Sequence, residues 1–130
     1  MQPDTVSLVR AAYDAFNEGR IADWAAANLP DDFELVPRAA VGGSGFIGPE
    51  GVATFFADVT EAWESSRIEI EDVVEFGDRI VILGRLHNRG RGSGMELDVI
   101  AAHLWTVADG VLVRVEMIGD RDEALRRARA

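Results

Sequence analysis

The chain contains no cysteine, which excludes disulfides, a thiolate nucleophile and any cysteine-built metal site. Histidine is nearly absent too: His87 and His103 are the only two. They show no HExxH or other ligand spacing, so no bound metal is expected. The one glycine-rich basic run, Gly90-Arg91-Gly92-Ser93-Gly94, lacks the GxxxxGK[ST] pattern and a following helix, so it is not a phosphate loop, and no cofactor is expected. No stretch approaches 18 consecutive apolar residues, which argues against a membrane span. The opening MQPDTVSLVR has no basic region followed by an apolar one; no signal peptide is read there, and the cytoplasm is the expected location. Positive charge is in the minority, with 13 Lys plus Arg against 23 Asp plus Glu and a formal net charge of −10. Such a balance argues against nucleic acid and anionic membranes as partners and favours solubility.

What is present is an ordinary globular composition. The 130 residues, 48% of them apolar, are read as one domain spanning 1–130 with a proper core. From about Pro3 to Asn17 the pattern is helical, with Val6, Val9, Tyr13 and Phe16 on one face and Gly19 as the stop. A short second helix, Ile21 to Asn28, carries Trp24; Pro30-Asp31-Asp32 breaks it before a first strand at Phe33 to Val36. Arg38 to Gly48 is glycine-rich and aperiodic, and is read as a loop. Pro49 opens a third helix, whose face is Val52, Phe55, Phe56, Val59 and Trp63.

From Arg67 onward the period changes to two. Ile68 and Ile70 alternate with Glu69 and Glu71, and Asp72-Val73-Val74 interrupts the alternation as a bulge. Arg79 to His87 is apolar enough to be covered on both faces, and Met95 to Val107 forms a long strand. Asp120 caps a final helix whose acidic start and basic end suit the helix dipole. Helices first and antiparallel strands after make an α+β plan, with a small-molecule pocket expected between the two layers.

The hairpin HLWTVADGVLVRVEMIGD, residues 103–120, carries the most information. Its odd-numbered face holds His103, Trp105, Val107, Val111, Val113, Val115 and Met117, with no carboxylate. A two-residue Asp109-Gly110 turn would set Trp105 opposite Arg114. A three-residue loop, Ala108-Asp109-Gly110, sets Trp105 opposite Val113 and His103 opposite Val115. The second register gathers the apolar residues on one face and is preferred. It leaves Glu116 pointing outward.

The segments VRAAYDAFNEGRIADWAA and GPEGVATFF, the Asp-Gly hairpin and DRDEAL, in that order and spacing, resemble the SnoaL-like branch of the nuclear transport factor 2-like superfamily. The resemblance covers nearly the whole chain. It implies a cone-shaped, curved antiparallel sheet with helices packed on its concave face, commonly in a homodimer built through the outer sheet face. Activities on this fold range from polyketide cyclase, ketosteroid isomerase and epoxide hydrolase to non-enzymatic binding. Matching the cyclases puts their histidine at His103 and their acid/base aspartate at Met117. Matching the ketosteroid isomerases puts their oxyanion tyrosine near Tyr13 and their two acids near Pro37 and at Ala101. The Arg-x-Asp of limonene-type epoxide hydrolases occurs nowhere. None of the three mechanisms transfers intact.

The candidate catalytic residues are therefore His103 as base, with Tyr13 and Arg38 as groups that would stabilise an enolate or bind a carboxylate. Candidate pocket residues are Phe16, Trp24, Phe55 and Trp63 from the helices, and Val99, Ala101, Trp105, Val115 and Met117 from the strands. The basic tip RLHNRGRGSG is read as a solvated, flexible hairpin end with His87 exposed. The first functional reading is a binding protein for a small apolar or carbonyl-containing molecule. An isomerase- or cyclase-type enzyme with His103 as base is the second. A non-catalytic dimeric interaction module with a filled interior is the third.

Overall fold

The computed structural model describes residues 4–38 and 45–130. Asp4 supplies the acceptor that a helix start needs: its carboxylate takes the Val6 N–H, and helix α1 runs Thr5–Asn17. At the other end Gly19 adopts φ +75°. Its N–H reaches the Phe16 carbonyl, and the Arg20 N–H reaches that of Ala15. These two bonds are the Schellman closure, which places a glycine in the left-handed region. Helix α2 (Ile21–Asn28) follows at once, and α3 spans Gly48–Ala62 with Pro49 in its first turn. The last helix, α4 (Arg121–Arg129), starts where Asp120 Oδ1 accepts the Glu123 N–H.

Among the described residues the strands are β1 (Glu34–Val36), β2 (Phe46–Ile47), β3 (Trp63–Phe76), β4 (Arg79–Gly90), β5 (Glu96–Ala108) and β6 (Val111–Met117). They form one sheet in the order β2-β1-β6-β5-β4-β3. All neighbours are antiparallel except β1 and β6, which run parallel. Strand β2 lies inside the stretch read as loop, of which residues 39–44 fall outside the described residues. Strand β3 begins at Trp63, four positions before the pattern changes, because it pairs with the far end of β4. Long-range pairing here overrides a weak local signal. The β3 irregularity falls between Ile70 and Asp72, just ahead of the expected bulge.

Strand β4 is covered on both faces, and alternation assigns the sides. Ile80 and Ile82 pack inward with Val9, Ala12, Trp24 and Trp105. Val81 and Leu83 pack on the other side with Ala102, Leu104, Ile118 and the α4 residues Ala124 and Ala128. Only α1 to α3 lie on the inner face; α4 lies on the outer one. Arg127 fastens it to Glu116 of β6 at 2.9 Å, Arg121 to Glu71 of β3, and Arg79 to the Arg127 carbonyl at 2.7 Å. Glu116 does point outward, but α4 buries it, leaving it 7% exposed.

The β5–β6 hairpin corrects both expected registers. Asp109 and Gly110 have φ +52° and +77°, the two positive values that a two-residue type I′ turn requires. The turn therefore has two residues, and Val107 meets Leu112. A bulge then skips Val113, so Trp105 meets Val115 and His103 meets Met117. Deeper in the strands the faces come out as preferred, with the pairing displaced by two residues. Near the turn they do not: Leu112 is core, and Val111 is 42% exposed.

Candidate functional site

Between α1–α3 and the inner sheet face lies a cavity of about 130 Å³. Of the 18 described residues that line it, only Tyr13, Trp24, His103 and Trp105 bring nitrogen or oxygen in their side chains. No carboxylate is among them. The helical spacing of Ala12, Tyr13 and Phe16 turns that face of α1 into one wall, and alternation on β5 turns His103 and Trp105 into another.

Three of the polar groups form a chain. The Trp105 Nε1–H donates to the Tyr13 hydroxyl oxygen at 3.0 Å. That hydroxyl lies 2.6 Å from His103 Nδ1. The Tyr13 and His103 rings stack with centroids 5.8 Å apart, and Trp24 meets Trp105 edge-on at 6.4 Å. Burial disfavours both charged forms. It lowers His103 from 6.5 to about 4. It lifts Tyr13 far above the ordinary phenol range, an effect that the Trp105 hydrogen bond only partly offsets. At neutral pH neither Tyr13 nor His103 carries a charge.

The expected site residues separate into two groups. Tyr13, Phe16, Trp24, Phe55, His103, Trp105, Val115 and Met117 all line the cavity. Trp63, Val99, Ala101 and Arg38 do not. Trp63 ends α3 and lies near Gly90 at the distal end of the sheet. Val99 sits opposite Leu86, and Ala101, 3% exposed, is packed into the core opposite Gly84. Arg38 is exposed, with its guanidinium against Gly119. The cavity also takes in Phe33, Ile68 and Leu86, which the sequence reading left out. For Ile68 and Leu86 alternation within β3 and β4 was a usable signal, but which face is inward depends on pairing.

The basic tip is tied down. Arg91 donates to the carbonyls of Glu61 and Thr60 at 2.9 and 2.8 Å, closing the C-terminal end of α3. His87 is half-buried on the outer face, 2.7 Å from Asp98 Oδ1. Among the described residues no group of three or more potential ligands stands close enough to hold a metal, and no helix is long and apolar enough to cross a membrane.

A family model, the SnoaL-like domain, matches residues 9–115. The chain belongs to the SnoaL-like domain family. No curated protein matches it. Among solved structures, TerC co-crystallised with polyporic acid is 24% identical with a TM-score of 0.76, covering 96% of this chain and 98% of TerC. A nuclear transport factor 2-like protein of unknown function from Burkholderia pseudomallei is 25% identical, also at 0.76, over 96% and 97% of the two chains. A provisionally assigned SnoaL-like polyketide cyclase from Jannaschia is 22% identical at 0.77, over 96% and 91%.

Within this SnoaL-like domain Met117 occupies a telling place. It stands directly opposite His103 on β6 and lines the cavity. A thioether there adds polarizable bulk and transfers no proton. The arrangement can hold an uncharged guest and offer it hydrogen bonds. Beside the histidine the described lining offers the Tyr13 phenol and no carboxylate.

Proposed function

We propose that this SnoaL-like domain binds a small, neutral, largely apolar molecule in the interior cavity, with an acceptor oxygen such as a carbonyl directed at His103. The Trp105–Tyr13–His103 chain carries this reading. An indole N–H only donates, so the Tyr13 oxygen accepts from Trp105. The phenol proton then goes to His103 Nδ1, its acceptor at 2.6 Å. That leaves the imidazole proton on Nε2, so His103 brings a donor to the cavity and not a lone pair. The reverse arrangement would crowd two N–H donors onto a phenol oxygen and strand its own proton among apolar side chains.

This polarity favours binding over the isomerase or cyclase reading, which needs an unprotonated ring nitrogen at the reacting carbon. The cavity itself weighs against a filled-interior interaction module. TerC, on the same fold, was crystallised with polyporic acid, which supports small-molecule binding. Apolar cavities on the order of 150 Å³ admit benzene, so single-ring molecules are the natural probes. Titration with cyclohexanone, followed by NMR, should shift the Tyr13, Trp105 and Met117 resonances. If millimolar cyclohexanone leaves them unmoved, the binding reading is wrong.

We further propose that two copies associate through the part of the outer sheet face that α4 leaves bare. Ile100 is 44% exposed there. His87 pairs with Asp98 and Arg85 with Glu71 around it, a mixture of signs that a second copy can match. Sedimentation should give twice the monomer mass, and Ile100→Glu should halve it. A monomer at micromolar concentration refutes this.

A further inference from the structure

We infer that Phe56 sets the length of molecule the cavity accepts. A guest with its oxygen at His103 points its far end at the rings of Phe16 and Phe56, which close the distal end of the cavity. The inference rests on the binding reading above and adds the direction of the guest and the residue that limits its size.

The lining changes in character along the sheet. At one end Leu35, Val115 and Trp105 stand side by side on β1, β6 and β5, and none is more than 6% exposed. Trp105 pairs with Ile80 of β4. Six residues farther along that strand, roughly 20 Å of extended chain, Leu86 stands opposite Ile68 of β3 and lines the other end. There Leu86, Phe16, Phe56 and Val59 are only half-buried. The surface lies just behind this end, and packed core behind the first. Phe16 follows Tyr13, the partner of His103, by one turn of α1, about 4.5 Å along the axis. A single ring held at His103 spans that distance, and a longer guest can extend only toward the surface.

What closes the distal end is side chain and not backbone. Helices α1 and α3 both pack on α2, and the rings of Phe16 and Phe56 meet between them with centroids 5.3 Å apart. Both helices are fastened at that end. Asn17 exchanges two hydrogen bonds with the Ile68 backbone, at 2.9 and 2.8 Å, and Arg91 holds carbonyls in the last turn of α3. Removing the Phe56 ring therefore leaves a gap that the helices do not readily close. Phe46 provides the contrast. It belongs to the same run of rings, 5.3 Å from Phe55, but does not line the cavity.

The experiment uses the full chain with cyclohexanone and 4-ethylcyclohexanone, which differ by two carbons at the end away from the oxygen. In the natural chain the ethyl group meets the ring pair, so 4-ethylcyclohexanone should bind no tighter than cyclohexanone. In Phe56→Ala it should bind about tenfold tighter than cyclohexanone, as burial of two further carbons allows. Phe56→Leu, a smaller cut, should give part of that gain, and Phe46→Ala should keep the natural preference. A further readout needs no variant to fold. In the natural chain the C4 protons of bound cyclohexanone should show NOEs to the Phe16 and Phe56 rings and none to Phe33, whose ring lies beside Trp105. A tenfold gain already present in the natural chain, no gain in either Phe56 variant, an equal gain in Phe46→Ala, or C4 contacts to Phe33 overturns the role of Phe56 and leaves the binding reading standing. If neither ketone enters the natural chain or Phe56→Ala, both fall.

Discussion

The Tyr13 hydroxyl oxygen and His103 Nδ1 lie 2.6 Å apart although ninety positions separate them in the chain. The contact joins α1 to β5 through the interior, where burial disfavours the charged form of both partners. A phenol and an imidazole buried in this apolar setting are both neutral at pH 7.

The first consequence concerns stability at low pH. His103 has a value of about 4 in the folded chain against about 6.5 when unfolded. Above 6.5 neither state is protonated there, and the fold is unaffected. Between 6.5 and 4 the unfolded chain takes up a proton that the folded chain refuses, so stability falls as pH drops, by up to roughly 3 kcal/mol. Urea midpoints measured from pH 7 to 4 should show this loss in the natural chain and a shallower one in His103→Gln. Parallel curves would show that His103 does not stay neutral.

Removing the central hydroxyl breaks two bonds at once. Tyr13→Phe leaves the Trp105 N–H and His103 Nδ1 buried without their partner. A loss of about 1–3 kcal/mol is expected, with the fold retained. The imidazole would be freed to choose its tautomer, so nitrogen NMR should show Nδ1 unprotonated in the natural chain and a tautomer mixture in the variant. An unchanged nitrogen spectrum contradicts the assigned direction of the chain.

On the other side of the sheet, Glu116 is buried beneath α4 and held by Arg127 at 2.9 Å, with Arg114 at 3.7 Å. Arg127→Ala leaves that carboxylate with its weaker partner only. The expected cost is about 1–2 kcal/mol, moderated because Arg127 is itself partly exposed. Thermal unfolding would measure it. Probe binding in the cavity should be unaltered, since the outer layer does not form its wall.

Arg38 offers a test of placement. Its guanidinium lies against Gly119 and outside the cavity lining. Arg38→Ala should therefore change cyclohexanone affinity by less than about twofold and stability by no more than about 0.5 kcal/mol. A large loss of affinity would mean that the arginine enters the site on binding.

The Asp109-Gly110 turn makes a local prediction. Both residues have positive φ, a conformation that costs a residue with a Cβ but not glycine. Gly110→Ala should destabilise by about 1 kcal/mol, read from the denaturation midpoint.

Much of this protein was determined by its sequence alone. The helical faces, the Asp120 cap, the Gly19 stop and the apolar β4 are local properties, fixed by period, capping chemistry and backbone freedom. They were enough to give the α+β plan, the SnoaL-like resemblance and the inward placement of Tyr13, His103 and Trp105. Tertiary structure decided everything that depends on pairing across distance. The two-residue turn and the bulge at Val113 each moved the register by one residue, and together they set Met117 opposite His103. The parallel β1–β6 pair, the early start of β3 and the side of the sheet taken by α4 have no local signature, because each reflects which surfaces meet. The same holds for the site: sequence could nominate a tyrosine, a histidine and two tryptophans. Only folding showed that three of them satisfy one another and that the fourth, Trp24, has a buried N–H with no partner among the described residues.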